Sequence, residues 1–309
     1  MAFKNAFKIL MDRFGLVWML LLYIFVLIVV LVSASMAFMI PIYRIFLNGG
    51  IVEEVYELFT SIVSGESVQS WFEQIRAIGE SVSALFSENF ALRLNSALWI
   101  IIVVILAYRF LLGLYELPLI SVLEGAMSSN AHIGFGGQLI ALLGKSSRFT
   151  LVKMMYTIVY DGILMFIMYG LFRLLDVSGI ALFAPFLIML VFILLMAFRY
   201  TLIAMWSPKI CVDGGKIFAS FAFSVKSAFK NFGSVFAYFL VAWVLIIAFN
   251  VFVGLFTLGA GLLLSVPVSM LFISIMNMTL FYGKNGKRYY VDGAVITPPY
   301  KKETEESEN

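Results

Sequence analysis

Between Phe14 and Ile42 the chain carries no charged side chain. A helix of a soluble domain needs one apolar stripe, whereas this block is apolar all the way round. It also exceeds the roughly 20 residues that cross a ~30 Å hydrocarbon core. Comparable blocks recur at about Ser96–Leu117, Thr150–Leu175, Ile180–Trp206, Phe232–Phe256 and Leu262–Tyr282. With 62% hydrophobic and only 13% charged residues, the chain lies outside the range of soluble domains. These blocks predict an all-α polytopic membrane protein of six transmembrane helices. One membrane domain covers 1–283, and a tail follows over 284–309, its polar end expected to be disordered.

The cations are sorted along the chain. Lys4, Lys8 and Arg13 precede the first block, and Lys145, Arg148 and Lys153 surround the start of the third. Lys209, Lys216, Lys226 and Lys230 fill the gap before the fifth, and Lys284, Lys287, Arg288, Lys301 and Lys302 follow the sixth. Only Arg44, Arg76, Arg93 and Arg173 fall in the alternate connections. Lys and Arg accumulate on the cytoplasmic side of membrane proteins. Both termini are therefore expected in the cytoplasm, with the cell (inner) membrane as the location. The first block is far longer than the roughly 7–15 apolar residues of a signal peptide, so it is expected to be an uncleaved anchor.

Three segments combine cations with large apolar residues. In 1–13, Phe3, Phe7, Leu10 and Met11 share one helical face. Leu139–Phe149 is a second, and 216–230 a third, where Lys216, Lys226 and Lys230 stand among Phe218, Phe221, Phe223 and Phe229. Such segments are too charged to cross a bilayer and too apolar to leave it, so basic amphipathic interfacial helices are expected. Lys4, Lys8, Lys216, Lys226 and Lys230 are then lipid-surface contacts, facing anionic lipids of the cytoplasmic leaflet. The connection 48–94 is acidic and reads as an extracytoplasmic amphipathic helical insertion. Val68, Trp71, Ile75, Ile78, Val82 and Leu85 make a helical seam. That seam rests on the membrane or bundle, or else 66–87 binds a membrane-protein partner.

KILMDRFG (8–15) aligns without gaps to KSAFKNFG (226–233), and GKSSRFT (144–150) occupies the same place before the third block. Three units of surface helix plus helical hairpin are implied. The run from Arg199 through Pro208, the Asp213-Gly214-Gly215 turn and the Ser224–Phe232 helix resemble the membrane domain of the glycerophosphoryl diester phosphodiesterase membrane-domain family, and of related six-span bacterial inner-membrane families. The resemblance covers about the last two thirds of the chain. In some members of that family this domain is fused to a soluble phosphodiesterase. No segment here has room for such a domain, so the resemblance implies a membrane domain without the enzyme.

The net charge of +3 gives no footprint for nucleic acid. A single cysteine, Cys211, and a single histidine, His132, leave no disulfide and no multi-ligand metal motif. The GFGG at 134–137 follows no strand and has no Lys-Ser/Thr after it, so it reads as a flexible cytoplasmic loop rather than a phosphate loop. Catalytic residues, cofactor and metal are all expected to be absent. The candidate site is an intramembrane charge network of Asp161, Arg109, Arg199 and Glu116, because charge at membrane depth needs a partner or water. Asp161 is expected to pair with Arg199 or Arg109, and Arg109 to share a face with Glu116. Asn250 and Asn277 are expected to hydrogen-bond between helices. Ser33, Ala37, Gly259 and Gly261 are expected to let helices approach closely. The functional expectation is a non-catalytic membrane scaffold or accessory protein of the cell envelope, acting at the cytoplasmic lipid surface. The alternative is a small transporter or permease using the Asp/Arg site.

Overall fold

The computed structural model describes residues 2–177 and 184–296. Its helices, in chain order, are α1 Ala2–Asp12, α2 Gly15–Asn48, α3 Ile51–Val63, α4 Val68–Glu88 and α5 Phe90–Trp99. A wider π-helical stretch, Ile100–Tyr108, leads into α6 Arg109–Gly113, α7 Glu116–Ser129, α8 Phe135–Ala141 and α9 Leu143–Val177. Then come α10 Ala184–Ile203, α11 Trp206–Val212, α12 Ile217–Lys230, α13 Phe232–Phe256 and α14 Leu262–Lys284. A short antiparallel pair closes the described chain, β1 Tyr289–Val291 and β2 Ala294–Ile296. Among the described residues, six helical stretches are long and apolar enough to cross a membrane. The chain is an all-α, multi-pass membrane protein. Large side chains such as Phe166, Phe186 and Phe256 stand at least three-quarters exposed on these helices. Water would penalise such surface, whereas lipid tails solvate it.

The chain divides into two compact units, Met1–Ile24 with Gly113–Asn309, and Phe25–Leu112. In the larger unit α14 is the central helix: from Leu271 to Tyr282 nearly every side chain is buried. Phe3 of α1 meets Phe272 edge-on at 5.5 Å between ring centroids. The α1 helix turns Asn5, Ala6, Ile9 and Leu10 inward and leaves Phe7 and Met11 more than half exposed. The apolar face read from the sequence is thus divided between protein packing and the outer surface. Asn250 of α13 donates to the Ser269 hydroxyl at 3.0 Å and accepts from Ser265 at 2.7 Å, as expected of an interhelical amide. At Asn277 the side-chain Oδ1 is buried without a hydrogen-bond partner among the described residues. At Gly261 a Cβ would lie 2.4 Å from Val253 Cγ1, so only glycine permits that return of the chain.

In the smaller unit, 48–94 contains α3, α4 and the start of α5. Ser81 of α4 donates to Glu54 of α3 at 2.9 Å, and Ser61 of α3 donates to Gln74 of α4 at 3.0 Å. Trp71, Ile78, Val82 and Leu85 of the seam are half-buried, while Val68 and Ile75 stay exposed. Trp99 donates to Ser35 at 3.1 Å, while Ser33 hydrogen-bonds back to its own helix at Val29.

Proline gives the first correction. The second apolar block is expected to end at Leu117, before Pro118, but Pro118 sits in the first turn of α7 and the break comes earlier, at Leu114-Tyr115. First-turn amides have no intrahelical acceptor, so proline costs nothing there. Pro208 sits in the same way at the start of α11, after a break at Ala204-Met205. The flexible loop expected at GFGG, 134–137, is also corrected. Residues up to Ser129 are a largely buried helix closed by Asn130 in the left-handed conformation (φ 53°), and Phe135 of GFGG is buried in the first turn of α8. The separate basic helix expected at Leu139–Phe149 does not exist: most of it is the opening of α9.

The turn signal Lys284-Asn285-Gly286-Lys287 predicts a small hairpin there, but the hairpin of the tail lies further on. Asn285-Gly286 closes α14, with the Lys287 amide donating to Tyr282 carbonyl at 2.9 Å, and Asp292-Gly293 (φ 55° and 76°) makes the β-turn instead. The expected turn at Ser178-Gly179, the start of the fourth span at Ile180, and the polar tail with Lys301 and Lys302 lie outside the described residues.

Candidate functional site

Among the predicted intramembrane charges, Asp161 and Glu116 each take a basic partner from another helix. Asp161 stands at the centre of α9, about 27 Å from its first residue at 1.5 Å per residue. Its Oδ1 accepts from Arg199 Nη1 of α10 at 2.7 Å, with both side chains less than a quarter exposed. The Arg199 guanidinium also lies 5.7 Å from the centroid of the Tyr160 ring, and Tyr160 donates to Leu195 carbonyl at 2.5 Å. Arg199 Nε is buried without a hydrogen-bond partner among the described residues. Arg199 is thus one of the two partners expected for Asp161.

Glu116 corrects the expectation of a face shared with Arg109. The break at Leu114-Tyr115 interrupts the helical register between them. Glu116, 8% exposed, takes Lys153 of α9 as its partner. Lys153 was read from the sequence only as a topology signal. Nothing in its local pattern marks it, because its partner lies on another helix.

A second cluster gathers at the loop ends that the charge pattern groups together. Asp213 accepts from Lys209 Nζ at 2.7 Å and from Lys287 Nζ. Burial alone would raise its pKa, but the two ammonium groups more than offset this and hold it below the usual carboxylate range. Lys209 lies 4.6 Å from the Phe223 ring centroid and Lys287 5.5 Å from that of Phe281. Arg13 donates to Asn130 at 2.8 Å, Lys145 to Ile210 carbonyl at 3.3 Å, and Lys284 to Ser234 at 2.8 Å. Asn5 donates to the Tyr289 hydroxyl at 2.7 Å. Burial raises the Tyr289 pKa, and the hydrogen bond from Asn5 lowers it by less. The connecting segments at this end are thus tied together by several polar contacts, although they are scattered through the sequence.

Trp206 holds this end to the helices. Its ring is 5.1 Å from Phe149 of α9 and 4.7 Å from Phe221 of α12, and its Nε1 donates to Ile217 carbonyl at 2.9 Å. The α12 helix is seated through small residues as well as through Phe221 and Phe223: Ser220, Ser224 and Ala228 are buried. Ser224 Oγ accepts from Met205 amide at 3.1 Å and donates to Leu202 carbonyl at 2.8 Å. Those bonds satisfy backbone groups freed by the break before Pro208. Outward remain Lys216, Lys226 and Lys230 with Phe218 and Phe229, and on α1, Lys4 and Lys8 with Phe7 and Met11.

One signal in the sequence could have located both helix breaks. RFLLGLYELP (109–118) and RYTLIAMWSP (199–208) align without gaps, Arg on Arg and Pro on Pro, and the structure breaks both at the same place. Cys211 packs between the two copies, with its Sγ 3.6 Å from Leu117 carbonyl, and His132 is exposed in the short 130–134 connection. No protein-family model matches this chain, and no curated protein or solved structure matches it either.

Proposed function

We propose that this chain is a membrane-embedded scaffold or accessory protein of the cell envelope that works at the cytoplasmic lipid surface of the inner membrane. The observation that supports this reading most is the division of labour on α1 and α12. Each helix packs one side into the protein and presents lysines beside large apolar side chains on the other. Lysines reach headgroups while phenylalanines enter the acyl boundary. The polar contacts behind them, those of Asp213 among them, give that surface a fixed shape.

A direct test places an environment-sensitive fluorophore on a Phe229→Cys variant of the full chain in vesicles with brominated acyl chains. With Cys211 replaced by Ala, quenching at position 229 is expected; fluorescence equal to that of a water-exposed label would remove the lipid-surface reading. A reporter joined after Asn309 is expected to remain cytoplasmic.

The second reading is a small transporter. What favours it is the Asp161–Arg199 pair, because an ionisable pair at membrane depth with an unmatched Arg199 Nε is where water or cargo could be coupled. Proton or ion flux in proteoliposomes, abolished by Asp161→Asn, would replace the scaffold reading with this one.

A further inference from the structure

Beside the opening of α12 lies a cleft of about 740 Å³ that these polar contacts do not fill. Its cationic wall is Lys145 and Arg148 of α9 and Lys216 at the start of α12; its floor includes Gly144, Gly214 and Gly215. All three cations are exposed, and among the described residues neither Arg148 nor Lys216 has a carboxylate partner. The α12 helix has no side-chain cap, so the first-turn amides, Ile217 and Phe218 among them, remain free donors at the cleft's edge. Gly215 keeps the floor bare: a Cβ there would lie 2.3 Å from Ser220 Oγ, a buried hydroxyl without a partner among the described residues. Three cations and free helix amides around glycines suit a phosphate group.

The remaining lining identifies the rest of the ligand. Val152, Ile217 and Phe218 make one side of the cleft apolar, and Phe218 is 71% exposed. Further along the same face of α9 runs a second, apolar groove of about 380 Å³, lined by Met155, Tyr156, Val159, Tyr160 and Ile163. Lys145, Arg148, Val152, Met155, Val159 and Ile163 follow one another at spacings of three and four, so cleft and groove form one track along the helix. From Val152 to Ile163 the track runs about 16 Å at 1.5 Å per residue. The Tyr156 hydroxyl oxygen is buried without a partner among the described residues. A free phosphate would use only the cationic end of this track, whereas a phospholipid uses all of it.

We infer that this track binds one anionic phospholipid, with its phosphate among Lys145, Arg148, Lys216 and the α12 amides, and an acyl chain along Met155–Ile163. The inference rests on the reading of this end of the molecule as a lipid surface, and it adds a defined site to it.

The test uses the full chain in phosphatidylcholine nanodiscs containing a minor fraction of spin-labelled phosphatidylglycerol. The protein is expected to immobilise phosphatidylglycerol in preference to labelled phosphatidylcholine. The variant Arg148→Gln/Lys216→Gln is expected to lose that preference about tenfold, the loss of one charge-assisted hydrogen bond. Lys226→Gln/Lys230→Gln, with the same charge change elsewhere on α12, is expected to lower it far less. Val159→Trp, which fills the groove and leaves the cations intact, is expected to lower the immobilised fraction too. Equal loss in both lysine-containing variants would overturn the site and leave only diffuse surface charge, sparing the broader function. No preference in the unaltered protein would overturn both. An unchanged Val159→Trp, or displacement by excess inorganic phosphate as complete as by unlabelled lipid, would overturn the lipid assignment.

Discussion

Arg199 Nη1 lies 2.7 Å from Asp161 Oδ1 and joins the last turns of α10 to the centre of α9. The bond crosses between two apolar helices, where either charge alone would be poorly solvated. Removing one partner of a buried pair costs about 3–5 kcal/mol, whereas replacing both with apolar residues is often neutral. Asp161→Leu is therefore expected to lower unfolding stability in detergent by about 3 kcal/mol. Asp161→Leu/Arg199→Met should recover most of that. A double variant as unstable as the single one would show that the pair is not a closed unit.

Glu116 and Lys153 tie α7 to α9 near the break before Pro118. Because Glu116 is buried and hydrogen-bonded, Glu116→Gln should lower stability by about 2 kcal/mol. Glu116→Gln combined with Lys153→Met should cost less than Glu116→Gln alone. Thermal melts of the purified variants provide the comparison.

Asp213 couples α11 to the segment after α14 through Lys209 and Lys287. Its pKa is held down in the folded chain, so the unfolded chain binds this proton more readily. Its contribution is then present above the unfolded carboxylate pKa of about 3.9 and disappears as pH falls through the lower folded value. The difference in melting temperature between the native chain and Asp213→Asn should be largest near neutral pH. It should shrink in acid below that range. A constant difference across this range would mean that the carboxylate charge does not carry the contact.

Ser224 serves two backbone groups at the α10–α11 break. In Ser224→Ala the buried Met205 amide loses its acceptor, at a cost of about 1–3 kcal/mol. Limited proteolysis should then cut the Asp213–Lys216 turn faster, since that turn is held through the seating of α12. Cleavage at the native rate would place the anchoring of α12 elsewhere.

The legible part of this fold was the part that lipid dictates. Phe232–Phe256 and the start of the sixth helix at Leu262 coincide with the apolar blocks, because an uninterrupted apolar run has few other uses. The misread part lies where helices break inside apolar sequence. Leu114-Tyr115 and Ala204-Met205 contain no glycine or proline, and the prolines that flag the breaks come three or four residues later, inside the next helix. Segment 119–129 lies beyond the second apolar block, yet its leucines and isoleucine pack against α14. Of the candidate network, Asp161 and Arg199 meet, while Glu116 goes to a lysine that no local periodicity could single out.

By itself the sequence determined that the chain crosses a membrane repeatedly and that its cations gather between alternate blocks. Both follow from local composition, since a spanning segment must satisfy its own backbone and tolerate lipid on its sides. Tertiary structure alone decided which charges pair, which face of α12 is seated, and that α14 occupies the centre. Those outcomes depend on contacts between helices far apart in the chain, and the periodicity of one helix says nothing about the face presented by another.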